Sequence, residues 1–250
     1  MRTDQLVALG LFLPLLGTAL GAAAALALPA APAGRGRGAL GFAAGVMLAA
    51  SVWSLLLPAM DAAERLGLIP WLPAVAGFLA GTWGMAGLCR LAARRHGGCG
   101  ETRRVFLLLC SVTLHNIPEG MAVGVAFASA LAGDASLAGA MALALGIAVQ
   151  NLPEGGIISL PLAQADGNRR RALWLGTLSG AVEPVAAALA LLLAAWMRAA
   201  LPWALSFAAG CMFFVVAEEL LAVPEGEKSA TGSAAAGFAL MLLLDAALGA

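Results

Sequence analysis

The sequence predicts an all-α integral membrane protein, an antiparallel bundle of eight transmembrane helices. Hydrophobic residues make up 62% of the chain and charged residues 11%, and the mean hydropathy is +0.93. These values lie far outside the range of a soluble domain of this length. A spanning helix takes about 20 mostly apolar residues, so the chain has room for about eight spans and no soluble domain. We therefore expect residues 1–250 to form a single polytopic membrane domain.

Charged or Gly/Pro-rich breaks separate the apolar runs and define the spans in order. The first run continues for more than twenty residues after Met-Arg-Thr-Asp. Because this is longer than the apolar region of a signal peptide, we expect the run to be kept as a span. The predicted spans are residues 5–28, 39–61, 70–91, 105–130, 137–162, 172–197, 201–223 and 231–249. Glycine pairs at helical spacing, such as Gly17/Gly21 and Gly41/Gly45, predict close helix packing.

Lysine and arginine are unevenly divided between alternate loops. The loops after the first, third, fifth and seventh spans carry eleven of them, whereas the opposite side keeps only Arg2, Arg65 and Arg198. Positive charge accumulates on the cytoplasmic side of a membrane, so both termini are predicted to be extracytoplasmic. The preference for arginine over lysine and the abundance of alanine hint at a GC-rich bacterial genome. We therefore expect a multi-pass protein of a bacterial inner membrane.

Composition also excludes several classes of function. The formal net charge is zero and the basic residues lie in short loops, so no nucleic-acid surface is indicated. The only lysine, Lys228, does not belong to a phosphate-binding G-x-x-x-x-G-K-[ST] pattern. Any transport by this chain is therefore expected to be driven by a gradient.

A polar hexapeptide occurs twice inside the predicted membrane spans. HNIPEG occupies 115–120 in the fourth span, and QNLPEG occupies 150–155 in the fifth, 35 residues later. Consecutive spans run antiparallel, so the copies are expected to face each other with inverted topology, as at the midplane sites of many transporters. At about 1.5 Å rise per residue, both copies lie near the bilayer centre. The prolines release carbonyls from helical bonds and allow each helix to bend.

The spacing within each copy has a chemical meaning. His115 and Glu119 are four residues apart and Asn116 and Glu119 are three apart, so all three side chains project from one helical face. The second copy repeats the pattern with Gln150, Asn151 and Glu154. Two opposed faces of this kind would make a cage of imidazole, amide and carboxylate groups, which suits a divalent cation.

A third acidic residue, Glu183, lies near the midplane of the sixth span in the tripeptide Val-Glu-Pro. Burying three carboxylates in hydrocarbon would cost several kcal/mol, and a bound cation offsets that cost. The alternative is that these groups are interhelical hydrogen-bond partners or part of helix kinks.

Other polar positions are ambiguous from spacing alone. Asp61, Glu218 and Glu219 lie near span ends, where a simple interfacial position explains them as well as a functional role does. His96 and Cys99 form H-x-x-C in the third loop, where a solvated loop is the simpler interpretation. Ser54 and Met47 would be ordinary helix residues on spacing alone.

The paired hexapeptides followed by Val-Glu-Pro resemble the ZIP (ZRT/IRT-like) metal transporters, specifically the GufA-type branch with bacterial members. The resemblance extends over nearly the whole chain. It includes GFAAGVMLAAS at 41–51, LPAMDAA at 57–63, FFVVAEE at 213–219 and LLDAALG at 243–249. It implies an eight-helix bundle with extracytoplasmic termini, in agreement with the loop charges.

The resemblance also implies a binuclear metal site. By residue-wise match, a primary site would use His115, Glu119, Gln150 and Glu154, with Ser54 nearby and Met47 lining the route. A second site would use Asn116, Asn151 and Glu183, with Glu119 and Glu154 bridging both ions. Asp61 would match a residue at the uptake side, Glu218 and Glu219 an exit path, and Asp245 an outer-side acidic position.

Two departures from the family pattern affect this assignment. Some related members carry Asp where this chain has Asn151, so the second site loses one negative charge. The histidine-rich cytoplasmic loop of the wider family is reduced here to His96 and Cys99, which argues against a metal-sensing role for that loop.

We therefore predict a secondary carrier, not an enzyme, that moves divalent transition metals into the cytoplasm. Zinc is the foremost substrate, with iron, manganese, cadmium or cobalt as alternatives, because nitrogen and oxygen ligands admit several of these ions. One helix group is expected to move against another and expose the site to each side in turn. The rivals are a membrane-embedded di-metal enzyme and a proton or sodium pathway. The expected partners are the metal ion and the lipid bilayer, and a homodimer is left open.

Overall fold

The computed structural model describes residues 2–27, 36–96, 101–133, 135–220 and 231–248. Within these ranges the chain is almost entirely helical and contains no strand. The prediction of an all-α membrane protein is confirmed. The helices form eight rods, α1 to α8, some of them built from two or three helical segments.

Each rod corresponds to one predicted span. The bounds are α1 Thr3–Ala27; α2 Gly36–Ala50, Ser51–Leu56 and Leu57–Arg65; α3 Trp71–His96; α4 Glu101–Ala132; α5 Leu137–Asp166; α6 Arg169–Gly180 and Val182–Leu192; α7 Ala194–Val215 and Val216–Leu220; and α8 Thr231–Leu248. The middle segment of α2 and the last segment of α7 are π-helical, a form that often occurs at functional positions.

Six rods of the described chain are long and apolar enough to cross a membrane, namely α1, α2, α3, α5, α6 and α7. The helix α8 carries the shorter apolar stretch Thr231–Leu243. The bounds differ most from the predicted spans between α6 and α7. The chain breaks at Leu193 and α7 begins at Ala194, seven residues before the predicted start. Both sides of this break are apolar, so hydropathy carries no signal of it.

The rods divide into two groups by their contacts. In group A, α1 packs mainly against α5 and α6, and α4 packs against α6 and α5. In group B, α3 packs against α7, and α8 packs against α2. The two groups meet chiefly where α4 contacts α7 and α2 contacts α5. Every residue of the predicted cage belongs to group A.

Two clusters of buried apolar side chains hold the rods together. One lies within group A and includes Val7, Phe127 and Ile147. The other includes Met47 and Met212 from group B and also takes in residues of α4, α5 and α6. The second cluster therefore joins the two groups. Lipid is as apolar as these side chains, so their close packing, rather than escape from water, stabilises the contact.

Glycines allow a close crossing of α1 and α5 in group A. A Cβ at Gly17 would clash with the backbone carbonyl of Ala148, and one at Gly21 would clash with that of Leu152. Side-chain-free positions on α1 therefore allow it to lie directly on the backbone of α5, just where α5 carries the second hexapeptide. The predicted packing role of Gly17 and Gly21 agrees with this geometry.

We expect Gly21→Ala to destabilise the protein, because the added methyl group overlaps a backbone atom that has no freedom to rotate away. The cost should be about 1–3 kcal/mol, as for other overpacked cores. Thermal unfolding of the purified protein measures it. Gly87→Ala on α3 is the matched control, since a Cβ there meets nothing within 4 Å. Equal melting temperatures for the two variants would contradict the close crossing of α1 and α5.

Candidate metal site

Six polar side chains from three neighbouring rods are buried together in group A. Each is at most 1% exposed. They are Asn116 and Glu119 from α4, Gln150, Asn151 and Glu154 from α5, and Glu183 from α6. Five of them were predicted from the sequence as members of the cage, and Glu183 was predicted as a further metal-site residue.

The two hexapeptides face each other through a direct contact. The Gln150 Nε2 donates a hydrogen bond to Glu119 Oε1, which joins α5 to α4. In the same region the Asn116 Nδ2 donates to the backbone carbonyl of Ser179 on α6, at 3.1 Å. The first position of the second copy therefore contacts the fifth position of the first copy.

Glu183 follows a one-residue interruption of α6 at Ala181. The first half of α6 ends at Gly180 and the second begins at Val182, so Glu183 lies in the first turn of a new helix. The positive end of the helix dipole stabilises a carboxylate there. Pro184 follows in the same turn, where a missing N–H has no consequence because no intrahelical acceptor exists for it. The Asn151 Nδ2 donates to Glu183 Oε1 at 2.9 Å, which ties α5 to α6.

Glu154 links the two hydrogen-bonded pairs electrostatically. Its carboxyl group is close enough to Glu119 and to Glu183 to act electrostatically on both. Three carboxyl groups that repel one another in a buried position are costly. Such an arrangement is stabilised when a cation occupies the space that they share.

The amide groups of the cluster have their orientation fixed by their neighbours. Carboxylate and carbonyl oxygens only accept hydrogen bonds, so the nitrogens of Asn116, Gln150 and Asn151 must face them. Their amide oxygens then point elsewhere and receive no donor, and neither does the second oxygen of Glu119 or Glu183. A buried polar atom without a partner is rare and requires a reason. Five buried acceptor oxygens without a donor, on three neighbouring helices, match the ligand chemistry of a cation.

The carboxylates do not form a complete ligand set by themselves. Within the described ranges, no three His, Cys, Asp or Glu side chains come close enough to hold a metal ion. A cation in this cluster therefore needs the amide oxygens as well. The backbone of His115 is helical, but its side chain lies outside the described part of the chain, and its role as a ligand stays a prediction.

Met47 and Ser54 lie on α2, across the boundary between the two groups. Met47 is fully buried in the apolar cluster that joins the groups. Ser54 is half-buried in the π-helical segment of α2. Both positions are compatible with a route toward the cluster, which stays a prediction.

The structure describes two of the predicted pathway side chains, and both are exposed. Asp61 is exposed near the end of α2, and Glu218 is exposed in the last segment of α7. The side chains of Glu219, Asp245 and His96, and the whole of Cys99, lie outside the described residues.

Sequence analysis missed one helix of the site altogether. The hydroxyl of Thr18 and the backbone carbonyl of Pro14, both on α1, contact Glu183 and Asn151 respectively. The available signal was weak: Thr18 is the one hydroxyl residue in the first predicted span. A lone threonine in an apolar helix often bonds only to its own backbone.

Comparison with known proteins identifies relatives over most of the chain. A family model described as "ZIP Zinc transporter" matches residues 93–245. Zinc transporter ZIPB of Bordetella bronchiseptica is 40% identical, over 93% of this chain and 78% of its own. Zinc transporter ZIP11 of Xenopus tropicalis is 33% identical, over 85% and 88%. Zinc transporter GufA of Myxococcus xanthus is 38% identical, over 63% and 62%.

Proposed function

The chain belongs to the ZIP zinc transporter family, and on that premise we propose that it imports divalent metal ions, zinc foremost, through the buried polar cluster of group A. Its curated relatives are named transporters rather than enzymes, which removes the di-metal enzyme as a rival. The resemblance inferred from the paired hexapeptides is confirmed.

One observation carries the proposed role of the cluster. Five buried oxygens on three helices receive no hydrogen bond, while the amide nitrogens beside them donate to protein acceptors. Structural hydrogen-bond partners would use these oxygens as acceptors for neighbouring donors. Acceptor oxygens left without a donor instead suit a substrate that brings positive charge to them.

The cluster contains two carboxyl–amide pairs, which support two metal positions. Glu119 is paired with Gln150, Glu183 is paired with Asn151, and Glu154 interacts with both carboxylates. The first position would take His115, Glu119, Gln150 and Glu154, and the second would take Asn116, Asn151 and Glu183. Glu119 and Glu154 would bridge the two ions.

Transport then requires the cluster to open to each side in turn. All seven proposed ligands belong to helices of group A, whereas Met47 and Ser54 belong to group B. We propose that group A moves as a unit against group B, so that the ligands keep their mutual geometry while access changes. The bacterial inner membrane, extracytoplasmic termini and a homodimer remain predictions.

Purified protein in proteoliposomes is expected to take up zinc faster than protein-free vesicles, without any hydrolysable compound. Competition with iron, manganese, cobalt and cadmium gives the selectivity, because mixed nitrogen and oxygen ligands do not fix it. A proton or sodium gradient imposed separately tests coupling. If protons or sodium cross and zinc neither crosses nor binds, the cluster is a monovalent-ion pathway and the proposal fails.

A further inference from the structure

The side chain of Thr18 on α1 fills a space where α1 packs against α5 and α6. Its side chain is fully buried. A Cβ at Gly180 would lie 2.7 Å from the Thr18 hydroxyl oxygen, and a Cβ at Gly155 would clash with the Thr18 carbonyl. Two glycines on two different helices therefore leave the space that this residue fills.

The Thr18 hydroxyl lies between a backbone carbonyl and a carboxylate. Its oxygen is 3.3 Å from Pro14 O and 3.3 Å from Glu183 Oε1. The Asn151 Nδ2 reaches the same two acceptors, at 3.3 Å and 2.9 Å. Thr18 shares its single hydroxyl proton between Pro14 O and Glu183 Oε1. Thr18 and Asn151 both clamp the same oxygen of Glu183, and α1 contacts Asn151 through Pro14 O.

This clamp determines which part of Glu183 remains available. Both donors act on Oε1, while Oε2 is buried and receives no donor. A carboxylate with one oxygen held in this way cannot rotate freely, so the other oxygen keeps a fixed direction. Outer partners that orient a ligand typically change metal affinity about 10–100-fold.

We propose that Thr18 is a positioning residue for Glu183 and thereby sets the affinity of the second metal position. This inference rests on the proposed function and extends it to α1, which contributes no acidic residue to the cluster. The contact is with the side chain of Glu183 and not with the metal. The effect of Thr18 should therefore appear in the second ion bound and much less in the first.

A second threonine in the chain provides a matched control. The Thr82 hydroxyl on α3 bonds to Phe78 O, four residues earlier, and to Gly210 O on α7. It therefore combines the same local bond with an interhelical bond, but both of its acceptors are backbone carbonyls in group B. Thr82→Val therefore shows the effect of losing a threonine hydrogen bond that has only a structural role.

The test is zinc titration of purified Thr18→Val, Thr18→Ser and Thr82→Val proteins, with stoichiometry and uptake kinetics measured in parallel. Valine keeps the shape of threonine and removes the donor. We expect Thr18→Val to weaken binding of the second ion about tenfold or more and to leave the first ion within about threefold. Thr18→Ser, which retains the hydroxyl, should restore the second ion. Thr82→Val should bind both ions as the wild type does.

Three results would overturn the positioning role: wild-type affinity for both ions in Thr18→Val, no recovery in Thr18→Ser, or the same loss in Thr82→Val. If Thr18→Val fails to fold, Thr18→Ala replaces it with the same criteria. Absence of zinc binding and uptake in the wild type would instead overturn the proposed function, and this inference with it.

Discussion

Glu154→Gln is expected to abolish metal uptake while the protein still folds and inserts. Glutamine has nearly the shape of glutamate, but it replaces one charged oxygen with an N–H donor. Glu154 is fully buried and interacts with both Glu119 and Glu183, so the change removes the charge that the two metal positions share. The loss should exceed the roughly 10–100-fold effect of removing an outer partner of a ligand.

The measurement is zinc uptake into proteoliposomes at equal protein content, with size-exclusion chromatography to check folding. Glu64→Gln is the control. It makes the same chemical change outside the cluster, because Glu64 is exposed at the end of α2. Wild-type uptake by Glu154→Gln would remove Glu154 from the metal site. Equal loss in both variants would show a general effect of charge.

Asn151→Asp is expected to make the stability of the protein depend on metal. In the structure the Asn151 Nδ2 donates to Glu183 and to the backbone carbonyl of Pro14. Aspartate cannot donate, so the substitution removes both bonds and places a fourth carboxylate against Glu183. Two like charges at hydrogen-bond distance repel strongly in a low dielectric. A divalent ion between them reverses the sign of the interaction.

We therefore expect a lower melting temperature than the wild type in chelator, and a larger rise on zinc addition. Affinity at the second position should increase about tenfold or more, which corresponds to about 1.4 kcal/mol. Turnover should be equal or slower, because a tightly held ion leaves slowly. Thermal unfolding with and without zinc tests the change in stability, and zinc stoichiometry tests binding at the second position. An unchanged response to zinc would place residue 151 outside the metal site.

The class of fold could be derived from sequence because it depends on local properties. Apolar runs of about 20 residues can satisfy their backbone in a bilayer only as helices, and no partner needs to be known. The polar face of the paired hexapeptides could also be derived from sequence, because the spacing of Asn116 and Glu119 places both on one helical face whatever surrounds it. The sequence therefore identified the buried carboxyl and amide residues of the two hexapeptides that the structure brings together, but not Thr18.

The sequence alone could not show which helix surfaces contact each other. Thr18 and Glu183 are 165 residues apart, and their contact exists because Gly180 and Gly155 leave room for Thr18. The break at Ala181 that starts a new helix before Glu183 is similarly invisible to hydropathy. Composition and periodicity describe each helix separately. The choice of neighbours depends on the fit of one helix surface to another, and only the tertiary structure decides it.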